Sequence, residues 1–201
     1  MEDAKAKIDR IISEGSDFRF GDYISRGFEI FQKDMGSFIG FAAIMIVLTM
    51  VIGMIPFIGP IANQLVVSPA LTVGAYLVAR KLDRGEANEF GNFFKGFDYV
   101  GQLALATAAM GIIISVTLIP FVMVCWQSGL VEWYMELFSD PLQDPMALGI
   151  PEMPPFWSIL LLLPAMYLGV AYSWTYLFIV FYKMDFWSAM EASRKLLTKH
   201  W

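Results

Sequence analysis

The sequence predicts an all-α fold, a polytopic membrane helix bundle. It should have four transmembrane helices arranged as two parallel-repeat hairpins, with amphipathic helices on the cytoplasmic side. Three observations carry this expectation. Four long stretches contain no Asp, Glu, Lys or Arg, although the 201-residue chain is 16% charged overall. The composition is 57% hydrophobic, and the charged fraction falls well below the roughly 25% of soluble domains. No Lys or Arg occurs between Lys95 and Lys183, so the basic residues are confined to three segments.

A bilayer core needs roughly 20 helical residues to cross it. The first span is read at 37–55, SFIGFAAIMIVLTMVIGMI, and a tight turn, Pro56-Phe57-Ile58-Gly59-Pro60, follows it. The second span is read at 61–79, ending before Arg80-Lys81; Asn63, Gln64, Ser68 and Thr72 dilute it and make it the weakest of the four. The third and fourth are read at 100–126 and 156–182, long enough for tilt or for projection past the lipid. These boundaries leave a segment 1–36, a membrane domain 37–182 with an outer loop 127–155, and a final segment 183–201.

Charge orients the spans. Segments rich in Lys and Arg stay cytoplasmic. The N-terminal segment holds Lys5, Lys7, Arg10, Arg19, Arg26 and Lys33; the loop after span two holds Arg80, Lys81, Arg84 and Lys95; the C-terminal segment holds Lys183, Arg194, Lys195 and Lys199. All 14 basic residues then fall on one side, with both termini. The other side receives a loop bearing Glu132, Glu136, Asp140, Asp144 and Glu152. Aromatic residues mark both interfaces: Trp126, Trp133, Phe156 and Trp157 outside, Tyr99, Tyr182, Phe186 and Trp187 inside. No secretory h-region precedes the first span, which is read as retained.

Three segments on the basic side have helical apolar spacing. Tyr23–Lys33 places Ile24, Phe28 and Phe31 together; 90–97 is crowded with Phe90, Phe93, Phe94 and Phe97; 185–201 aligns Phe186, Met190, Leu197 and Trp201, with Ser188-x-x-Glu191 resembling a capping box. Such helices lie at the headgroup boundary or pack on the ends of the spans, and both readings are open. In the outer loop, Leu130, Trp133 and Leu137 share one helical face.

The hairpins resemble each other. Ile55-Pro56-Phe57 recurs as Ile119-Pro120-Phe121, and Pro69-Ala70-x-x-x-Gly74 recurs as Pro164-Ala165-x-x-x-Gly169. Pro69 and Pro164 each remove a helical donor and are expected to kink their spans. Ala70/Gly74 and Ala165/Gly169 offer small surfaces for close helix contact. The second helices of the two hairpins are therefore expected to pack centrally. On this reading 185–201 is the opening helix of a third unit whose hairpin is missing.

Little here points to chemistry. There is no phosphate-binding loop, no G-x-G-x-x-G and no His-Glu-x-x-His. His200 is the only histidine and Cys125 the only cysteine. A His-based metal site or a Ser-His-Asp triad within the chain is thus excluded, and no cofactor is expected. The spans contain no ionisable residue of the kind that marks proton relays. Tyr167, Tyr172 and Tyr176 are either interhelical hydrogen-bonding groups or the wall of a polar-aromatic groove for a lipid headgroup. Glu136, Asp140 and Asp144 form a solvated loop or, less simply, a calcium site. Cys125 is read as a small packing residue. The charge pattern gives no nucleic-acid surface.

Pro69-Ala-Leu-Thr-Val-Gly-Ala-Tyr76, Arg84-Gly85-Glu86, Phe93-Phe94-Lys95-Gly96-Phe97 and the closing Ala189-Met-Glu-Ala-Ser193-Arg-Lys-Leu-Leu resemble a pattern in uncharacterised multi-pass bacterial membrane proteins. These are similar to the membrane domain attached to some glycerophosphodiester phosphodiesterases. The resemblance spans roughly 21–201 and implies a bacterial inner-membrane location without a catalytic domain. The expected role is a non-enzymatic scaffold, accessory subunit or envelope-maintenance factor, with membrane lipids, other membrane proteins or further copies of itself as partners. A transporter or lipid-handling protein with a cavity between the hairpins is the competing expectation.

Overall fold

The computed structural model describes residues 19–139 and 151–200. The expectations for Lys5, Lys7, Arg10, Asp140, Asp144, Trp201 and the His200 side chain lie outside the described residues. Within them the chain is helical, with no strand, and four helical stretches are long and apolar enough to cross a membrane: Met35–Gly53, Ile58–Asp83, Phe90–Gln127 and Phe156–Tyr182. The chain divides into two compact units, Met1–Ala109 with Ala171–Trp201, and Met110–Val170.

In the first unit, α1 (Phe20–Lys33) leads into α2 (Met35–Gly53) through Asp34, whose carboxylate caps α2 by accepting the Ser37 N–H. A sharp turn follows. The Ile58 N–H reaches back to the Pro56 carbonyl at 2.7 Å, and Phe57 takes φ 62°, ψ −53°. That is a γ-turn of the strained hand, rare for a residue with a side chain. The second span then changes helix type twice: α3 (Ile58–Ala62), one π-helical turn (Asn63–Val67) and α4 (Ser68–Asp83). Pro69 directly follows the π-helical turn, at the change to α-helix. Span two is the most buried of the four, with a third of its most apolar window enclosed against 6% for spans one and three. The enclosure comes from Pro69, Ala70, Leu71, Val73, Gly74 and Val78, whereas Gln64 is exposed and Asn63, Ser68 and Thr72 are half-buried.

Residues 90–99 continue the helical path into α5 (Val100–Gln127), which matches the expected third span, 100–126, to one residue. The 90–99 segment is a 3-10 helix lying against α4 and α2. Phe93 is fully buried, stacked on Phe41 at 4.4 Å between centroids and met edge-on by Phe38 at 5.3 Å. Leu71, Val78 and Leu82 complete this core. Of the two readings for this segment, packing as core is the one seen. The approach is close enough that a Cβ on Gly74 would overlap the Phe93 carbonyl, and one on Gly96 would overlap the Ala70 carbonyl.

The fourth span is discontinuous, which corrects the expectation of a single kinked helix. It comprises a 3-10 turn (Phe156–Leu162), α7 (Leu163–Ala171), a break over Tyr172, Ser173 and Trp174, and α8 (Thr175–Tyr182). Pro164 is the second residue of α7, well before the break. α9 (Phe186–His200) packs against α8 and splints the break: the Ser193 hydroxyl donates to the Ala171 carbonyl at 2.6 Å and accepts the Trp174 N–H at 3.2 Å. Ala171, Thr175 and Ser193 are fully enclosed there. The N-terminus of α9 is capped by Asp185, which accepts the Ser188 N–H, and by Gln102, which accepts the Phe186 N–H. The expected Ser188/Glu191 box is therefore replaced by a carboxylate one turn earlier. Glu191 instead pairs with Arg194 at 2.8 Å and Lys195 at 3.3 Å.

The second unit contains the outer half of α5, α6 (Leu130–Ser139), the 3-10 turn and α7 up to Val170. Leu130, Trp133 and Leu137 form the half-buried face of α6, as their spacing predicts. Cys125 is buried with a free thiol. Ile119-Pro120-Phe121 lies inside α5, whereas Ile55-Pro56-Phe57 lies in the γ-turn region. The two copies of that motif thus have different local structures.

The Glu191 cluster makes a testable point about acid stability. Hydrogen bonding by Arg194, and then by Lys195, holds the Glu191 carboxyl down at about 2. Hydrogen bonds also hold Asp34 and Asp185 below the ordinary range, from Asn88 and Ser37 in one case and from Ser188 in the other. A depressed folded-state pKa stabilises above the unfolded value, about 4.3 for Glu, and the benefit is lost as pH falls through the folded one. Glu191→Gln should therefore lower the melting temperature at neutral pH, and the two proteins should converge as pH drops from about 4.5 towards 2. Arg194 and Glu191 remain about 40% exposed, so screening keeps the effect under about 1 kcal/mol. A difference that persists unchanged at pH 2 would refute the assignment.

Candidate functional site: an aromatic groove at the basic ends of spans two and four

α4 and α8 pack together toward the ends of the spans that carry Arg80, Lys81 and Lys183. Between them opens a groove of about 620 Å³ lined by α1, α4 and the residues from the break onward. Tyr76, Arg80 and Asp83 line it from α4; they recur at helical spacing, so one face presents all three. Trp174, Phe181 and Tyr182 line it from the other side, and Ile30 from α1. The break in span four matters to this wall, because it delivers Ser173 and Trp174 to the groove while their backbone is held from behind by Ser193.

Two cations and one carboxylate set the electrostatics. Arg80 lies over the Phe181 ring, 4.2 Å from its centroid, a cation–π arrangement. It makes no ion pair among the described residues. Asp83 is taken by α1: Arg26 bonds it through two nitrogens at 2.7 and 2.9 Å. The hydrogen bond and charge of Asp83 raise the Arg26 pKa above its ordinary value. Lys33 adds a second tie, donating to the Leu82 carbonyl at the end of α4 at 2.8 Å, where a cation also suits the helix dipole. A polar chain, Asn92 to Asn88 to Asp34, fixes the loop after α4 to the α1–α2 corner.

The residues singled out from the sequence are distributed unevenly. Pro69, Ala70 and Gly74 are buried, and their partner is the 90–99 segment. Pro164 and Gly169 are exposed, Ala165 is half-buried, and a Cβ at Gly169 would meet nothing within 4 Å. Tyr176 bonds Thr107 at 2.8 Å. Since the Thr107 proton goes to the Leu103 carbonyl, Tyr176 is the donor, and it ties α8 to α5. Tyr172 is half-buried at the break, and Tyr167 belongs to the second unit. The groove is built instead from Tyr76, Trp174, Phe181 and Tyr182. Sequence reasoning used Arg80 only to orient span two. The signal that would have found it is the Tyr76, Arg80, Asp83 spacing on one face of a helix end. Among the described residues no group of His, Cys, Asp and Glu is placed to hold a metal ion.

No protein-family model, curated protein or solved structure matches the chain.

Proposed function

We propose that this is a membrane protein of the bacterial inner membrane that handles lipid by binding an amphiphile in the Arg80 groove, with both termini cytoplasmic. The observation that carries this reading is the groove itself, an open concavity at a helix end walled by aromatic side chains. Such amphipathic rings sit at the headgroup level. The exposed apolar face of α1, with Phe20, Tyr23, Ile24 and Phe28, supports an interfacial placement beside it. The confinement of Lys and Arg to segments on one side supports the orientation. The groove walls contain aromatics, one arginine and a carboxylate already paired, which suits retention rather than acid–base chemistry. This favours lipid handling over a purely scaffolding role. The likeness between the hairpins is part of the proposal, since α4 and α8 are the second helices of the two halves.

The test is native mass spectrometry of the full chain in mild detergent with added phospholipid. A lipid should be retained and should be lost when Ala79→Trp fills the groove. Ile112→Trp, at an exposed position of α5, should leave retention unchanged. Equal retention by wild type and Ala79→Trp would refute the reading.

A further inference from the structure

We propose that the groove selects a lipid with an anionic, phosphate-centred headgroup, and that Arg26 sets this selectivity by withdrawing the charge of Asp83 from the site. The proposal rests on the lipid-binding reading above and names the class of ligand. Its argument is charge complementarity. Arg80 and Asp83 both line the groove, and alone they would cancel. Arg26 reaches in from α1 and engages Asp83 at 2.7 Å, which leaves Arg80 as the uncompensated charge. Arg80 is held on the Phe181 ring rather than in an ion pair, and it is exposed, so its guanidinium is available to a phosphate. Guanidinium suits this role because its planar fork matches phosphate oxygens.

The same geometry disfavours a cationic headgroup. A quaternary ammonium is recognised by open aromatic faces. Here one Phe181 face is covered by Arg80, and the carboxylate that would complete a cage with Tyr76, Trp174 and Tyr182 is bound to Arg26. The aromatic walls would instead flank the glycerol and upper acyl region, below a phosphate placed at Arg80.

The experiment compares retention of phosphatidylglycerol and phosphatidylcholine of identical chains by the full-length protein, in native mass spectra. The wild type should prefer phosphatidylglycerol. Arg80→Gln should reduce that preference by about tenfold, the scale of one charge-assisted contact, and Arg80→Lys should retain part of it. Arg26→Gln should also reduce it, because Asp83 then faces the groove unpaired. Asp83→Asn should raise it. The last two variants break the same ion pair, so a merely structural role would move both in the same direction; opposite directions are the signature of the proposal. A preference unaffected by Arg80→Gln, or parallel changes in Arg26→Gln and Asp83→Asn, would overturn it. The lipid-binding reading would still stand if Ala79→Trp abolished retention. Displacement of the lipid by millimolar inorganic phosphate would show that phosphate alone is the ligand, and would overturn the lipid assignment.

Discussion

Gly74→Ala is expected to destabilise the protein by about 1–3 kcal/mol, the scale of overpacking a filled interior, whereas Gly169→Ala should stabilise it slightly. Ordinary helix propensity favours alanine over glycine by about 0.5–1 kcal/mol, so the sign at each site depends on what the new methyl meets. At Gly169 it meets nothing within 4 Å. At Gly74 it meets the Phe93 carbonyl, which is backbone and cannot rotate away. Relief requires moving the 90–99 segment off α4, and with it the Phe93 ring from its stack on Phe41. Gly96→Ala should behave like Gly74→Ala, because it faces the Ala70 carbonyl across the same contact. Thermal melts in a mild detergent, followed by size-exclusion recovery, provide the measurement. A Gly74→Ala protein as stable as Gly169→Ala would mean that the close approach of α4 and 90–99 does not exist in solution.

That contrast marks where sequence reasoning reached and where it stopped. The spans were legible because charge-free length is a one-dimensional property: Met35–Gly53 and Phe156–Tyr182 lie within two residues of the expected 37–55 and 156–182. The half-buried face of α6 was legible from the spacing of Leu130, Trp133 and Leu137, since helical periodicity alone sets it. Gly74 and Gly169 share the Pro-Ala-x-x-x-Gly pattern yet have opposite surroundings, and the shared pattern does not distinguish them. Span two is the least apolar of the four, as expected, with a mean hydropathy of 1.5. Asn63, Gln64, Ser68 and Thr72 lower hydropathy, and from sequence this looks like weak membrane character. In the fold it is also the most enclosed span, but through Ala70, Leu71, Val73, Gly74 and Val78 rather than through those four polar residues, which hydropathy alone could not reveal. Arg80 was seen as a topological marker. Its place on the groove wall depends on Phe181 arriving from a helix a hundred residues later, and on Arg26 arriving from α1 to pair with Asp83.

The break in span four was invisible for a related reason, and it supports the second large prediction. Tyr172, Ser173 and Trp174 contain no Gly or Pro to announce an interruption. Unwinding there frees the Ala171 carbonyl and the Trp174 N–H, and no water is at hand in a membrane to take them. One hydroxyl on another helix takes both. Ser193→Ala removes almost no volume but leaves the enclosed Ala171 carbonyl and the part-buried Trp174 N–H without this partner. At about 1–3 kcal/mol for each orphan, a loss of about 2–4 kcal/mol is expected. Amide exchange should accelerate locally over 171–175 and not in α2. Thr175 provides the check on mechanism. Its hydroxyl is enclosed and has no hydrogen-bond partner, so Thr175→Val alone should be neutral or mildly stabilising. It lies four residues after Ala171, the spacing at which a threonine hydroxyl donates back to a helical carbonyl. Once Ser193 is gone, Thr175 is a substitute donor at that spacing, and removing it as well should cost more than the two single changes together, by about 0.5–1 kcal/mol of coupling. Strict additivity in that double-mutant cycle would show that the Ala171 carbonyl finds its replacement elsewhere, and that Ser193 is not what holds the break in its present form.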